Sequence, residues 1–356
     1  MQYAADFCYL PAEWSPQDAI LLTWPHPNSD WSELFPAIEI DYLALVEAIS
    51  RYQALIITCQ DQNHRQHIQN YLASLRIEQR KRIAIVIAAS DDSWCRDFGP
   101  ITVIDAGASK LLDFQFNAWG ERFPWQRDNQ VNQQLDRANL FQVPLLHRAL
   151  ILEGGSIESD GAGTLLSHSA SLIDSRRNPG SREEIEALLH EALPLQRILW
   201  LENGCLVGDD TDSHIDNLVR FVAPGTLAYS ECRDPADEQY ALLQAMYEEL
   251  TRLKQLDGSP YQLIALPLPK PCYSRFDNRR LPASYANFLI TNNAVLVPQF
   301  DDPNDAIAVT RMQQCFGQRE VIGIASRCFI EQNGGIHCLS MQLPAGTVNV
   351  NYNESE

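Results

Sequence analysis

Four short stretches of this chain carry side chains that could act together on a small molecule. Trp94-Cys95-Arg96-Asp97-Phe98-Gly99-Pro100 presents Asp97, and Leu152-Glu153-Gly154-Gly155-Ser156 presents Glu153. Ser213-His214-Ile215-Asp216-Asn217 offers an imidazole and a carboxylate, and Asn333-Gly334-Gly335-Ile336-His337-Cys338 offers a thiol. Two carboxylates facing one planar cation form a receptor for a guanidinium, whose five N–H donors lie in a fixed fork. A thiolate could attack the guanidinium carbon while the imidazole moves protons. The Gly334-Gly335 pair reads as a tight loop that sets Cys338 at the mouth of a strand, with Leu339, Met341 and Leu343 alternating behind it. His214 and Asp216 stand two apart, so an extended segment would point both to one side.

Each stretch also has a plainer reading. Most cysteines are small buried hydrophobes, and the chain has nine. His-x-Asp is a short, common pattern. Asp97 beside Arg96 fits a loop ion pair worth under about 1 kcal/mol. Glu153 before Gly-Gly fits a turn, and Trp94 and Trp119 fit a core or rim. His214, Asp216, His337 and Cys338 could instead ligate a metal, but carboxylates outnumber nitrogen donors and no HExxH helical pair is present.

The elements that must position these groups are legible in outline. Strands are predicted at 19–24, 54–59, 82–88, 101–105, 111–116, 148–153, 197–201, 260–267, 286–298, 319–325 and 337–343. Helices are predicted over 36–50, 61–76 and 303–316, with one opened by a Ser181–Glu184 capping box and one starting at Asp234-Pro235. Residues 117–130 are aromatic and turn-rich, with Trp119, Phe123 and Trp125. Strands and helices alternate throughout, which defines an α/β protein. The spacing allows about five similar modules within a single catalytic domain spanning 1–356. Neither a GxGxxG nor a P-loop supports a nucleotide fold.

Composition narrows the class of partner. A net charge of −19 over 356 residues disfavours nucleic acid and anionic membrane, and draws small cations toward an acidic cleft. No apolar run approaches the roughly 20 residues needed to cross a bilayer. The opening Met1-Gln2-Tyr3-Ala4-Ala5-Asp6 lacks the layout of a signal peptide. Scattered cysteines without a CxxC pair predict reduced thiols and a cytoplasmic protein.

Taken together, the motifs resemble those of the agmatine deiminases, in the peptidylarginine-deiminase-like branch of the guanidino-group-modifying superfamily. The resemblance is carried by the four stretches above with Phe116-Asn117-Ala118-Trp119-Gly120, Arg177-Asn178-Pro179 and Leu281-Pro282-Ala283-Ser284-Tyr285-Ala286-Asn287-Phe288, in the family's order. It implies a five-bladed α/β propeller (the pentein fold) that needs no cofactor and often forms homodimers. It also implies roles: Cys338 as nucleophile, His214 as general acid and base, and Glu153 orienting His214. Asp97 and Asp216 would grip the guanidinium, and Trp94 and Trp119 would line the channel for an alkyl chain. The implied substrate is agmatine, with arginine or peptidyl-arginine as alternatives and a non-catalytic cation-binding protein as another. Two loops depart from the family pattern: Asn333 precedes the Gly pair where the family has Gly-Gly-Asn, and Ser213 replaces a glycine before His214.

Overall fold

Apolar, β-branched runs supply the strands, and stripes at helical spacing supply the helices that cover them. In the helix Ala37–Ser50, Ile38, Tyr42, Leu45, Val46 and Ile49 are all buried against the neighbouring sheet. The computed structural model describes residues 8–349. Its strands are β1 (Gln17–Thr23), β2 (Ala54–Cys59), β3 (Ile83–Ile87), β4 (Ile101–Asp105), β5 (Ala108–Gln115), β6 (Leu145–Ile151), β7 (Ile157–Ser159) and β8 (Thr164–His168). There follow β9 (Arg197–Leu201), β10 (Val219–Ala223), β11 (Thr226–Glu231), β12 (Gln262–Pro267), β13 (Leu289–Ile290), β14 (Ala294–Gln299), β15 (Glu320–Ala325) and β16 (Ser340–Pro344).

These strands make five small sheets of one design. In each, an antiparallel pair is extended by a third strand that lies parallel to the second and is reached through a helix. The first sheet runs β16-β1-β2-β3, so the last strand pairs antiparallel with the first and closes the series. The structure therefore contains the five repeated α/β units that the resemblance implied. The spacing of the elements allows these units, but no side-chain identity marks them in the sequence, because only the strand pattern recurs.

The element predictions fail at instructive places. The strand predicted at 148–153 begins at Leu145 and ends at Ile151, which leaves Glu153 in the following loop. The helix predicted from Asp234-Pro235 starts at Tyr240. Asp234 caps only a turn, accepting the Ala236 amide at 2.9 Å. The hairpins β7–β8 and β10–β11 have no counterpart in the predictions; their strands are three to six residues long and too short to show a period. His214 and Asp216 are not in an extended segment. His214 caps a 3₁₀ turn, Ile215–Asn217, that contains Asp216.

The repeated design decides where chemistry can be placed. The residues leading into the first strand of each antiparallel pair are Trp94–Pro100 before β4, Glu153–Ser156 before β7, and His214–Asn217 before β10. Ser284–Phe288 precede β13, and Gly335–Leu339 precede β16. All four candidate stretches fall in these lead-in positions, and a fifth emerges around Asn287.

Candidate active site

The lead-in loops converge. Gly155 donates its amide to Asp97 Oδ1 at 2.8 Å, and Trp119 Nε1 donates to Asp97 Oδ2 at 2.9 Å. His214 lies between Glu153 and Asp97, with Nε2 at 2.8 Å from Glu153 Oε2 and Nδ1 at 3.7 Å from Asp97 Oδ1. Cys338 Sγ lies 3.5 Å from Asp216 Oδ2. Asp97, Glu153, His214 and Asp216 are all buried, and Cys338 is 6% exposed, touching space only through a pocket. Every residue expected at the site from the sequence is therefore gathered there. Arg96 faces away from Asp97, donating Nε to the His337 carbonyl at 3.3 Å, so the simple loop ion pair does not form.

The backbone allows no extra atoms at this centre. A Cβ at Gly155 would sit 2.6 Å from His214 Nδ1 and 2.9 Å from Asp97 Oδ1. At Gly334 it would fall 2.2 Å from the Trp94 ring. The glycines of both motifs thus serve close approach. Trp119 is held by a run of positive φ values, 48° at Ala118, 55° at Trp119, 90° at Gly120 and 63° at Glu121. Strain of this kind persists only where surrounding contacts over-determine it. Here the Asn117 side chain accepts the Gly120 amide, and Phe116 and Phe123 pack edge-on against the Trp119 ring.

Three residues with no role in the sequence reading complete the site. Asn287 Nδ2 donates to Cys338 Sγ at 3.1 Å, while its Oδ1 accepts the His337 amide at 2.9 Å. Arg177 is buried and donates Nε to both Glu153 oxygens, at 2.7 and 3.0 Å, so Glu153 is fixed from behind. The same guanidinium reaches Asp174 and Asp212 at 2.7 and 2.8 Å. His337, weighed only as a metal ligand, holds Asp216 Oδ2 through Nδ1 at 2.8 Å. Asn287 and Arg177 both stood in quoted motifs. The lead-in position of Asn287 would have marked it, had the repeat been seen.

Proton affinities follow from this crowding. Burial opposes charge on His214, but Asp97, Glu153 and Asp216 outweigh it and lift the imidazole to about 9. Burial, with Glu153 and Asp216 nearby, pushes Asp97 up to about 6 against the pull of His214. For Glu153 burial is overcome by the His214 hydrogen bond and by Arg177, which hold it below its ordinary value. The Cys338 thiol is driven well above its ordinary value by burial and then by Asp216 and Asp97. The resting site is therefore a thiol beside an imidazolium. His214 Nδ1 has no hydrogen-bond partner, although it is buried.

A cavity of about 370 Å³ opens onto Cys338 and Asp97. Trp94, Trp119 and Phe123 line its walls, and Asp30, Asp92 and Asp210 add carboxylates farther from the thiol. Burial raises Asp92 to about 7 and Asp210 to about 6. Arg279 also borders the cavity, but its guanidinium is taken up by Asn333 Oδ1 and by the Glu331 carbonyl at 2.8 Å.

Residues 9–344 match the model of the Porphyromonas-type peptidyl-arginine deiminase family, and the chain belongs to that family. It is 35% identical to agmatine deiminase of Pseudomonas fluorescens over 367 aligned positions, 96% of each chain. Among solved structures, a Porphyromonas gingivalis protein provisionally called an arginine deiminase is 41% identical, with a TM-score of 0.90 over 96% of this chain and 100% of that one. A cysteine-to-serine variant of C. jejuni agmatine deiminase with substrate bound is 36% identical, with a TM-score of 0.87 over 96% of this chain and 98% of that one. Among the described residues no helix is long and apolar enough to cross a membrane, and all nine cysteines are unpaired.

Proposed function

We infer that this protein hydrolyses agmatine to N-carbamoylputrescine and ammonia through a covalent thiouronium on Cys338, in one catalytic domain of five modules. One observation carries the chemistry: a thiol, two carboxylates and an unpartnered imidazole nitrogen meet at the end of an aromatic-walled, acidic cavity. Asp97 and Asp216 receive the guanidinium and fix its plane, so that its carbon faces Cys338 Sγ. The cation offsets the two carboxylates that hold the thiol protonated, so binding itself favours thiolate, and the thiol proton leaves to solvent.

The steps follow from the atoms present. Thiolate attack forms the C–S bond and a tetrahedral adduct. Imidazolium His214 gives its Nδ1 proton to the departing nitrogen, the C–N bond breaks, and ammonia leaves a thiouronium. His214, now neutral, takes a proton from water as the water oxygen bonds to the same carbon. Breaking of the C–S bond returns the thiolate, and loss of the hydroxyl proton gives the urea product. Glu153, fixed by Arg177, keeps the other imidazole nitrogen bonded so that Nδ1 is the working one. Trp94 and Trp119 wall the alkyl chain, and Trp119 also orients Asp97 through its indole N–H.

The carboxylates Asp30, Asp92 and Asp210 favour a second cationic end on the substrate, whereas Arg279 is already committed to Asn333 and Glu331. That supports agmatine over arginine. Ammonia release from agmatine and from L-arginine, measured side by side with and without EDTA, tests the reading. Release from agmatine that EDTA leaves unchanged is expected. Activity on arginine alone would replace the substrate, and silence on both would remove the assignment. The chain is further proposed to act in the cytoplasm, without nucleic acid or membrane partners, as a homodimer.

A further inference from the structure

Behind Asp216 lies a buried chain of charged and titratable side chains that the reaction steps do not use. His337 holds Asp216 Oδ2 through Nδ1 and Glu13 Oε2 through Nε2, both at 2.8 Å. Glu13 comes from the arm before β1, and it also accepts Arg220 Nη2 and, at 2.6 Å, the Ile290 amide. Arg220 is fully buried; its Nε donates to Glu158 and its Nη1 to the Ala286 and Phe288 carbonyls, the latter at 2.6 Å. Glu158 in turn accepts the Phe221 amide at 3.1 Å. The chain thus runs Asp216, His337, Glu13, Arg220, Glu158, alternating in the sign its members can carry.

Glu13, Glu158 and His337 offer ligand atoms within 4.8 Å of one another, the spacing of a metal site. Arg220 already supplies the cation there, bonded to both carboxylates. The cluster is therefore an internal ion network. Its last link is the informative one, because both nitrogens of one imidazole face carboxylate oxygens. An ionised carboxylate only accepts hydrogen bonds, and a neutral imidazole has one N–H to give. Two contacts of 2.8 Å are met together only if both nitrogens carry protons. Glu13 already accepts from Arg220 and the Ile290 amide, and Asp216 Oδ1 accepts from Asn217 Nδ2, so both act as accepting carboxylates toward the imidazole.

We propose that His337, clamped between Asp216 and Glu13 with a proton on each ring nitrogen, acts as a positioning residue for the guanidinium receptor. It sets which Asp216 oxygen faces the substrate and keeps that group a carboxylate, and it stands one residue before the nucleophile. The Glu13–Arg220–Glu158 chain keeps His337 charged without borrowing charge from the pocket. The groups facing His337 are Asp216 and Glu13, with Arg220 and Glu158 beyond Glu13 and Arg96 on the His337 carbonyl. Those facing Cys338 are Asp216 and Asp97, with Asn287 on the sulfur.

This proposal rests on the reading of Cys338 as nucleophile, but its test does not use turnover. Histidine-selective ¹⁵N NMR of the intact protein at neutral pH is expected to show a second imidazole protonated on both nitrogens, in addition to that of His214. That signal should disappear in His337→Asn. A neutral tautomer for His337 would overturn the proposal. Iodoacetamide alkylation of Cys338, followed by mass of its peptide across pH, supplies the second readout. Removal of the imidazolium in His337→Asn is expected to move the alkylation midpoint to higher pH, whereas an unchanged midpoint would sink the idea. If His337→Asn fails to fold, Glu13→Gln decides: the imidazole should then lose one of its two protons at neutral pH, and persistence of both would remove Glu13 from the role. Ammonia release by the unaltered protein judges the nucleophile separately.

Discussion

Two buried clusters share Asp216, and they treat charge in opposite ways. In the inner network every carboxylate touches a cationic partner: Glu13 and Glu158 share Arg220, and Asp216 holds His337. At the pocket end, burial with Glu153 and Asp216 nearby raises Asp97 to about 6, His214 Nδ1 is unpartnered, and burial, then Asp216 and Asp97, hold the Cys338 thiol well above its ordinary value. The inner network is complete as it stands. The pocket end lacks one cation, and a substrate guanidinium supplies it. An unfinished electrostatic arrangement next to a finished one is a physical signature of a binding site, since structural ion networks gain nothing by remaining incomplete.

The contrast can be broken experimentally. The largest effect belongs to the pocket. Cys338→Ala should lower turnover by at least about 10⁴-fold while agmatine binding and melting temperature stay close to those of the parent. Turnover surviving that change would transfer the chemistry to another group.

The inner network should respond in the other currency, stability. Arg220→Met leaves Glu13 and Glu158 buried without their cation, so unfolding free energy should fall by about 3–5 kcal/mol in urea titrations. A loss below about 1 kcal/mol would show that the network is not closed in the way described.

The smallest and sharpest prediction concerns pH. Loss of the Cys338 proton makes kcat/KM rise with pH, and it should fall more steeply once pH drops below about 6, where Asp97 is protonated and no longer receives the cation. His214 must be protonated to release ammonia, so the rate should also fall as pH rises past about 9. Each titrating group should contribute up to about a tenfold change per pH unit. In Asp97→Asn the extra steepness below about 6 should vanish from the kcat/KM profile, and its persistence near the same pH would assign it to Asp92 or Asp210 instead.

Much of the site was legible because its residues come in short local groups. Asp97, Glu153 and Cys338 stand within a few residues of Gly, Pro or Trp residues that stop a helix or strand and place a polar side chain in a loop, and His214 and Asp216 follow the polar run 209–213. Helix-scale and strand-scale periodicity located most elements within a few residues. The short hairpins β7–β8 and β10–β11 escaped because three to six residues cannot display a period. The His214–Asp216 pair was expected on an extended segment. A 3₁₀ turn brings both to the site instead, so the expected outcome arose from a different backbone.

Sequence alone determined which functional groups the chain owns: one thiol flanked by Gly-Gly and His337, an imidazole beside Asp216, and an excess of carboxylate suited to a cation. It also determined the α/β alternation, because periodicity is a local property. Partners distant in the chain were decided only by the tertiary structure. Asn287 on the sulfur of Cys338, Gly155 on Asp97 and Glu153 on His214 are contacts between the lead-in loops of different modules, and Glu13 reaches His337 from 324 residues away across the β1–β16 closure. No local pattern encodes them, since each depends on five sheets closing so that their lead-in loops face one another. The proton affinities were settled there too, because burial and neighbouring charge exist only once the chain is folded.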